Sequence, residues 1–146
     1  MASQYRHTSH TTYSCLYHIV WITKYRKNVL SGDVGLRLRE IIRQICNQDK
    51  IEIHKGSIGP DHVHILLSIP PYLAVSRIVQ HLKGESSRKL QMEFPIMKRH
   101  FWGQHFWQIG YFCGTVGNVN ETTVRDYIAN QGKKEEDEDR TFIVLG

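Results

Sequence analysis

Residues 50–69 read KIEIHKGSIGPDHVHILLSI, and this stretch decides the fold. Ile51 and Ile53 alternate with Glu52 and His54, the two-residue period of a strand with one buried face. Gly59, Pro60 and Asp61 supply turn chemistry, and a second apolar run follows from His62 to Ile69. Two strands joined by a short turn predict an antiparallel hairpin. In its second arm Val63, Ile65 and Leu67 share one face, and His62 and His64 share the other.

Working outward, residues 13–24 (YSCLYHIVWITK) are rich in β-branched and aromatic types over a strand-like length. Val34, Leu38, Ile41, Ile42 and Ile45 recur at helical spacing with Arg37, Arg39, Glu40 and Arg43 between them, which predicts an amphipathic helix ahead of the hairpin. Pro70 and Pro71 stop the hairpin, and residues 73–90 return to helical spacing through Leu73, Val75, Ile78, Val79, Leu82 and Leu90, with Gly84 as a weak point. Residues 107–117 (WQIGYFCGTVG) are again strand-like, and residues 118–131 are expected to form a last helix with Asn120 and Thr122 as capping candidates. The order β-α-β-β-α-β-α predicts an α+β fold: a ferredoxin-like antiparallel sheet with helices on one face and one additional C-terminal helix.

The chain has 146 residues, 40% of them apolar, which suits a single domain over residues 1–131 with a charged tail over 132–146. There is no long apolar run and the start is polar, so a cytoplasmic protein without membrane association is expected. Cys15, Cys46 and Cys113 are odd in number and widely spaced, which argues against a disulfide framework or a zinc knuckle and for three small buried hydrophobes. The net charge of +5 is uneven: residues 1–131 carry 16 Lys and Arg against 9 Asp and Glu, and the tail carries 3 against 5. A basic body is consistent with a polyanionic partner such as nucleic acid.

Two imidazoles two residues apart on a strand lie roughly 6.6 Å apart along its axis. They can tilt onto one ion at bonds of about 2.1 Å. The same pattern also describes two histidines on the polar side of an amphipathic strand. On the predicted last helix, Tyr127 and Gln131 are four residues apart and share a face. A tyrosine hydroxyl, with a pKa near 10, needs a polarised electrophile or a nearby positive charge to attack phosphorus, and a Gln131 carboxamide oxygen would be a suitable hard ligand beside two histidines. Without the histidines, Tyr127 reads as a packing or interface residue.

These residues belong to a longer pattern. YHIVWITKYRKNVL (17–30), GPDHVHILLSI (59–69), LKGESSRKL (82–90), FWQIGYFCGTVG (106–117) and DYIANQ (126–131) stand in order. Together they resemble the HUH single-tyrosine transposases of small insertion sequences, of the IS200-like type, from about Tyr13 to Gln131. Val63 occupies the bulky apolar position between the histidines. The resemblance implies that His62, His64 and Gln131 bind a divalent metal, Mg²⁺ or Mn²⁺, and that Tyr127 is the catalytic nucleophile. It implies cleavage and rejoining of single-stranded DNA with imperfect hairpins at mobile-element ends, through a 5′-phosphotyrosine intermediate and without hydrolysis. It also implies a homodimer, with the tyrosine helix able to be supplied in trans, acting at the nucleoid of a prokaryotic cell.

Phosphate contacts are expected from Lys24, Arg26 and Lys27 after the first strand, and from Lys83, Arg88 and Lys89 on the second helix. Either cluster could equally be a solvated face. Two alternatives stay open: a non-catalytic or domesticated DNA or RNA hairpin-binding protein of the same fold, and a metal-dependent phosphoesterase that releases its product to water. The second would not need Tyr127.

Overall fold

The computed structural model describes residues 5–101 and 105–116. Its elements run β1 (Arg6–His7), β2 (Thr12–Tyr13), β3 (Leu16–Ile22), a 3₁₀ turn (Lys24–Arg26), α1 (Asp33–Gln48), β4 (Glu52–Ile58), β5 (His62–Ser68), α2 (Val75–Glu93), α3 (Ile96–Phe101) and β6 (Phe112–Thr115). β1 and β2 form a small hairpin of their own, and the main sheet has the order β4-β5-β3-β6 with every neighbouring pair antiparallel. This is the expected α+β arrangement. α1 connects β3 to β4 and leaves a gap between them that β5 fills, so the hairpin returns its second arm to the centre of the sheet.

The helices cover one face of the sheet because their apolar stripes match its apolar side. Leu38, Ile41, Ile42 and Ile45 of α1 and Ile78, Val79, Leu82 and Leu90 of α2 share one core with Ile19, Trp21, Val63, Ile65 and Leu67 of the central strands. Fully burying each such side chain contributes about 1.5–3 kcal/mol. Met97, Phe101, Phe106 and Trp107 extend this core. There the Trp107 indole N–H donates to Ser86 Oγ at 2.9 Å, which satisfies a polar pair in a buried setting. Across the helices, Arg37 grips Glu93 through two bonds of 2.6 and 3.0 Å.

Three expectations are corrected. The first strand begins at Leu16 and not Tyr13, because Tyr13 pairs with Arg6 in the terminal hairpin. Arg6 anchors that hairpin by donating to the Ser68 and Lys50 carbonyls, at 3.0 and 2.7 Å. The strand expected over residues 107–117 is only Phe112–Thr115 plus an isolated bridge between Trp107 and Thr23, with Gly110 between them at a φ of 93°. Finally, β4 is not a plain alternation, since its register against β5 shifts between Ile53 and Lys55. The expected last helix and charged tail lie outside the described residues.

Candidate active site

The sheet face turned away from the helices carries a row of imidazoles. On β5 the even positions His62, His64, Leu66 and Ser68 point there, and the register sets His62 opposite Ile22, His64 opposite Val20 and Leu66 opposite His18. The His62 and His64 rings stack at 5.2 Å between centroids and 6° between planes. His18 continues the row, its ring 5.9 Å from that of His64. Phe112 of β6 stands beside His18, and its ring lies over Gly114, where an added Cβ would meet it at 3.0 Å.

The two predicted ligands sit in different settings. His62 is 2% exposed, and its Nδ1–H donates to Asp61 Oδ1 at 2.6 Å. The other oxygen of Asp61 accepts from Arg26 Nε at 3.1 Å. Burial pushes the Asp61 carboxyl up, but the bond from His62 and the nearby Arg26 charge outweigh it, so it titrates below its ordinary value. His64 is half-buried, with the Ser57 hydroxyl 3.3 Å from its Nδ1. His18 is buried, and its Nε2 has no hydrogen-bond partner among the described residues. Burial, with a smaller contribution from His64, pushes its pKa down to about 4, which keeps the ring neutral.

Two stacked imidazoles on one strand face suit a borderline divalent ion by donor type. No group of three His, Cys, Asp or Glu side chains that could hold a metal occurs among the described residues. Gln131, the expected third ligand, and Tyr127, the expected nucleophile, lie outside the described residues.

The predicted phosphate contacts are largely engaged within the chain. Arg26 is on Asp61, Lys27 donates to the His100 carbonyl, and Lys24 lies 5.3 Å from the centre of the exposed Tyr25 ring. On α2, Lys83 donates to the Gln108 and Gly110 carbonyls, both at 2.8 Å, and burial lowers its pKa. Arg88 and Lys89 both pair with Glu85, at 3.1 and 3.8 Å. An open groove of about 560 Å³ runs beside Lys83, lined also by Gln80, Ser87, His105, Trp107 and Tyr111, and His18, His62 and His64 take no part in it. No helix among the described residues is long and apolar enough to cross a membrane.

Asp61, Ser57 and His18 were not singled out as site residues from sequence. Asp61 immediately precedes His62 in a turn-like context, and His18 occupies an even position on β3, where only the cross-strand register reveals its neighbour.

This fold is that of a known class. The family model for IS200-like transposases matches residues 11–131, and the chain belongs to that family. It is 37% identical over 123 residues to the ISDra2 transposase TnpA of Deinococcus radiodurans, covering 84% of this chain and 88% of that protein. It is also 37% identical over 123 residues to the transposase for insertion sequence element IS200 of Salmonella typhimurium, covering 84% of this chain and 80% of that one. A crystal structure of a Deinococcus radiodurans R1 transposase superposes with a TM-score of 0.74 at 34% identity, over 86% of this chain and 97% of the other. A REP-associated tyrosine transposase bound to a REP hairpin shares the fold, with a TM-score of 0.58 at 17% identity over 91% and 74% of the two chains.

Proposed function

We propose that this IS200-like transposase cuts and rejoins single-stranded DNA at the hairpin-bearing ends of a mobile element, with Tyr127 as nucleophile. The observation that carries the reading is the stacked His62–His64 pair, on the side of the sheet opposite α1 and α2, with its first member held by Asp61. Family membership supplies the transposase class, and the ordered motif ending in Tyr127 and Gln131 supplies the chemistry.

His62, His64 and Gln131 would hold Mg²⁺ or Mn²⁺. Such an ion, when bound, withdraws charge from a non-bridging phosphate oxygen. The Tyr127 oxygen attacks phosphorus and gives up its proton. The bond from phosphorus to the 3′-oxygen breaks, and that oxygen leaves as a free 3′-OH. The phosphotyrosine ester retains the bond energy, so a different 3′-OH can displace Tyr127 and reseal the strand without ATP or water. We place the reaction in a homodimer acting on single-stranded DNA with imperfect hairpins, with the tyrosine helix able to reach the partner's histidines. Lys24, Lys27, Lys83, Arg88 and Lys89 are candidates for phosphate contact, and Lys24 fits best because its loop exposes Tyr25.

The test uses single-stranded hairpin DNA from the flanks of the gene, labelled at the 5′ or 3′ end, with Mn²⁺, Mg²⁺ or EDTA. A metal-dependent band of protein linked to the DNA 3′ of the cut, absent in Tyr127→Phe, is the expected result. Cleavage that survives Tyr127→Phe would instead establish a phosphoesterase, and binding to a verified cognate end with no adduct would establish a hairpin-binding protein.

A further inference from the structure

We propose that Asp61 and Arg26 are positioning residues that set the tautomer and orientation of His62, so that the turn after β3 is a scaffold for the imidazole pair. This deepens the reading of His62 and His64 as metal ligands and rests on it.

A carboxylate can only accept, so the 2.6 Å contact between Asp61 Oδ1 and His62 Nδ1 requires the proton on Nδ1. In a neutral ring the lone pair then resides on Nε2, the nitrogen presented to an ion. A carboxylate behind a ligating imidazole fixes the ring and raises its basicity. Asp61 is itself 3% exposed and held at several points. Its second oxygen accepts from Arg26, and its backbone carbonyl accepts from the Thr23 N–H at 2.9 Å and from the Thr23 hydroxyl at 3.2 Å.

The turn adopts an unfavourable backbone to make these contacts. Tyr25 and Arg26 both lie in the left-handed region, with φ of 60° and 52°, at a cost of about 1–2 kcal/mol per residue. Neither is a glycine, an asparagine or an aspartate, the residue types that visit this region routinely. The conformation brings the Arg26 guanidinium to a buried carboxylate, where a charge-assisted bond is strong. Arg26 is therefore assigned to the protein's own frame and not to a phosphate.

Alanine at position 61 discriminates sharply. Asparagine still offers one oxygen to two donors, so either Arg26 or His62 meets an NH₂ group. If His62 meets it, the ring shifts its proton to Nε2 and withdraws the lone pair. The experiment measures two quantities in wild type, Asp61→Asn, Asp61→Ala and Arg26→Gln, with folding checked by circular dichroism. The first is the His62 tautomer of the metal-free protein, from ¹⁵N–¹H long-range NMR. The second is Mn²⁺ affinity, from the free-ion electron paramagnetic resonance signal.

The expected result is an Nδ1–H tautomer in wild type, its loss in Asp61→Ala, and Mn²⁺ binding weakened about 10–100-fold in that variant. Arg26→Gln weakens it less, in the same direction. Wild-type tautomer and Mn²⁺ affinity in a folded Asp61→Ala would overturn the proposal. Unchanged Mn²⁺ affinity with weakened DNA binding in Arg26→Gln would remove Arg26 from it. The metal reading fails separately, if His62→Ala and His64→Ala bind Mn²⁺ as wild type does. In that case the NMR result alone decides whether Asp61 sets the ring, and an unchanged tautomer in Asp61→Ala overturns it.

Discussion

The two faces of β5 are held by different forces. Val63, Ile65 and Leu67 are fully buried against the helices, in contacts that depend on volume and shape. His62, His64 and Ser68, one residue out of phase, are fixed by hydrogen bonds to Asp61, Ser57 and Arg6. The contrast teaches that a single strand can separate stability from chemistry by parity alone. Even positions can change their chemistry while odd positions keep the sheet in place.

The largest expected effect lies on the odd side. Ile65→Ala should cost about 2–5 kcal/mol in urea denaturation, by leaving a cavity among packed side chains. Leu66→Ala, on the other face, should cost less, and equal losses would erase the distinction between the faces.

Next comes pH. His18 ordinarily titrates near 6.5 and in the fold is pushed down to about 4, foremost by burial and then by His64, with Phe112 as its other ring neighbour. The unfolded chain therefore binds a proton that the folded chain refuses. Stability is whole above pH 6.5, declines as pH falls from about 6.5 to about 4, and then levels off after a loss of about 3 kcal/mol. Urea midpoints of the metal-free protein at pH 7, 5.5 and 4 should follow that decline, and His18→Leu should flatten it. An unchanged slope in His18→Leu would place the acid sensitivity elsewhere.

Smaller again is the polar pair within the core. Ser86→Ala leaves the buried Trp107 indole N–H without its acceptor and should cost about 2 kcal/mol. Adding Trp107→Phe should recover part of that loss, since the orphaned donor is then gone. Smallest is Arg37 with Glu93. A double-mutant cycle should give a coupling near the upper end of about 0.2–1 kcal/mol, because the pair is bidentate though partly exposed, and added salt should shrink it.

The sheet and both long helices were legible because their apolar residues repeat at the period of the element. The terminal hairpin was not: its four paired residues are Arg6, His7, Thr12 and Tyr13, and a two-residue strand has no room to show an alternation. α3 is too short for a helical stripe to stand out beside Pro95. In the candidate site, the His62–His64 pair could be read from the two-residue period, whereas His18 joins them only through the pairing of strands more than forty residues apart. Arg26 was read as a phosphate contact because a charge in a sequence does not disclose its partner. Asp61 was read as turn chemistry for a similar reason, since its proximity to His62 along the chain does not show which way its carboxyl points.

The irregularity in β4 has a consequence for how this hairpin can change over evolution. Ile53 faces the core opposite Leu67, yet beyond the shift Gly56 and Ile58 take the core positions, while Lys55 and Ser57 face the imidazole side. Odd numbers point inward before the shift and even numbers after it. The strand thus holds one uncounted residue that acts as a phase reset, like a leap day that keeps a calendar aligned with the seasons. Removing that one residue, His54, would leave Ile53, Lys55, Gly56, Ser57 and Ile58 in plain alternation opposite the same β5 partners, so Ile58 would stay in the core and Ser57 beside His64. Removing two there would set inward-facing Ile53 directly before inward-facing Gly56 and turn the rest of the strand over, so this arm should tolerate the loss of one residue at the shift and not of two.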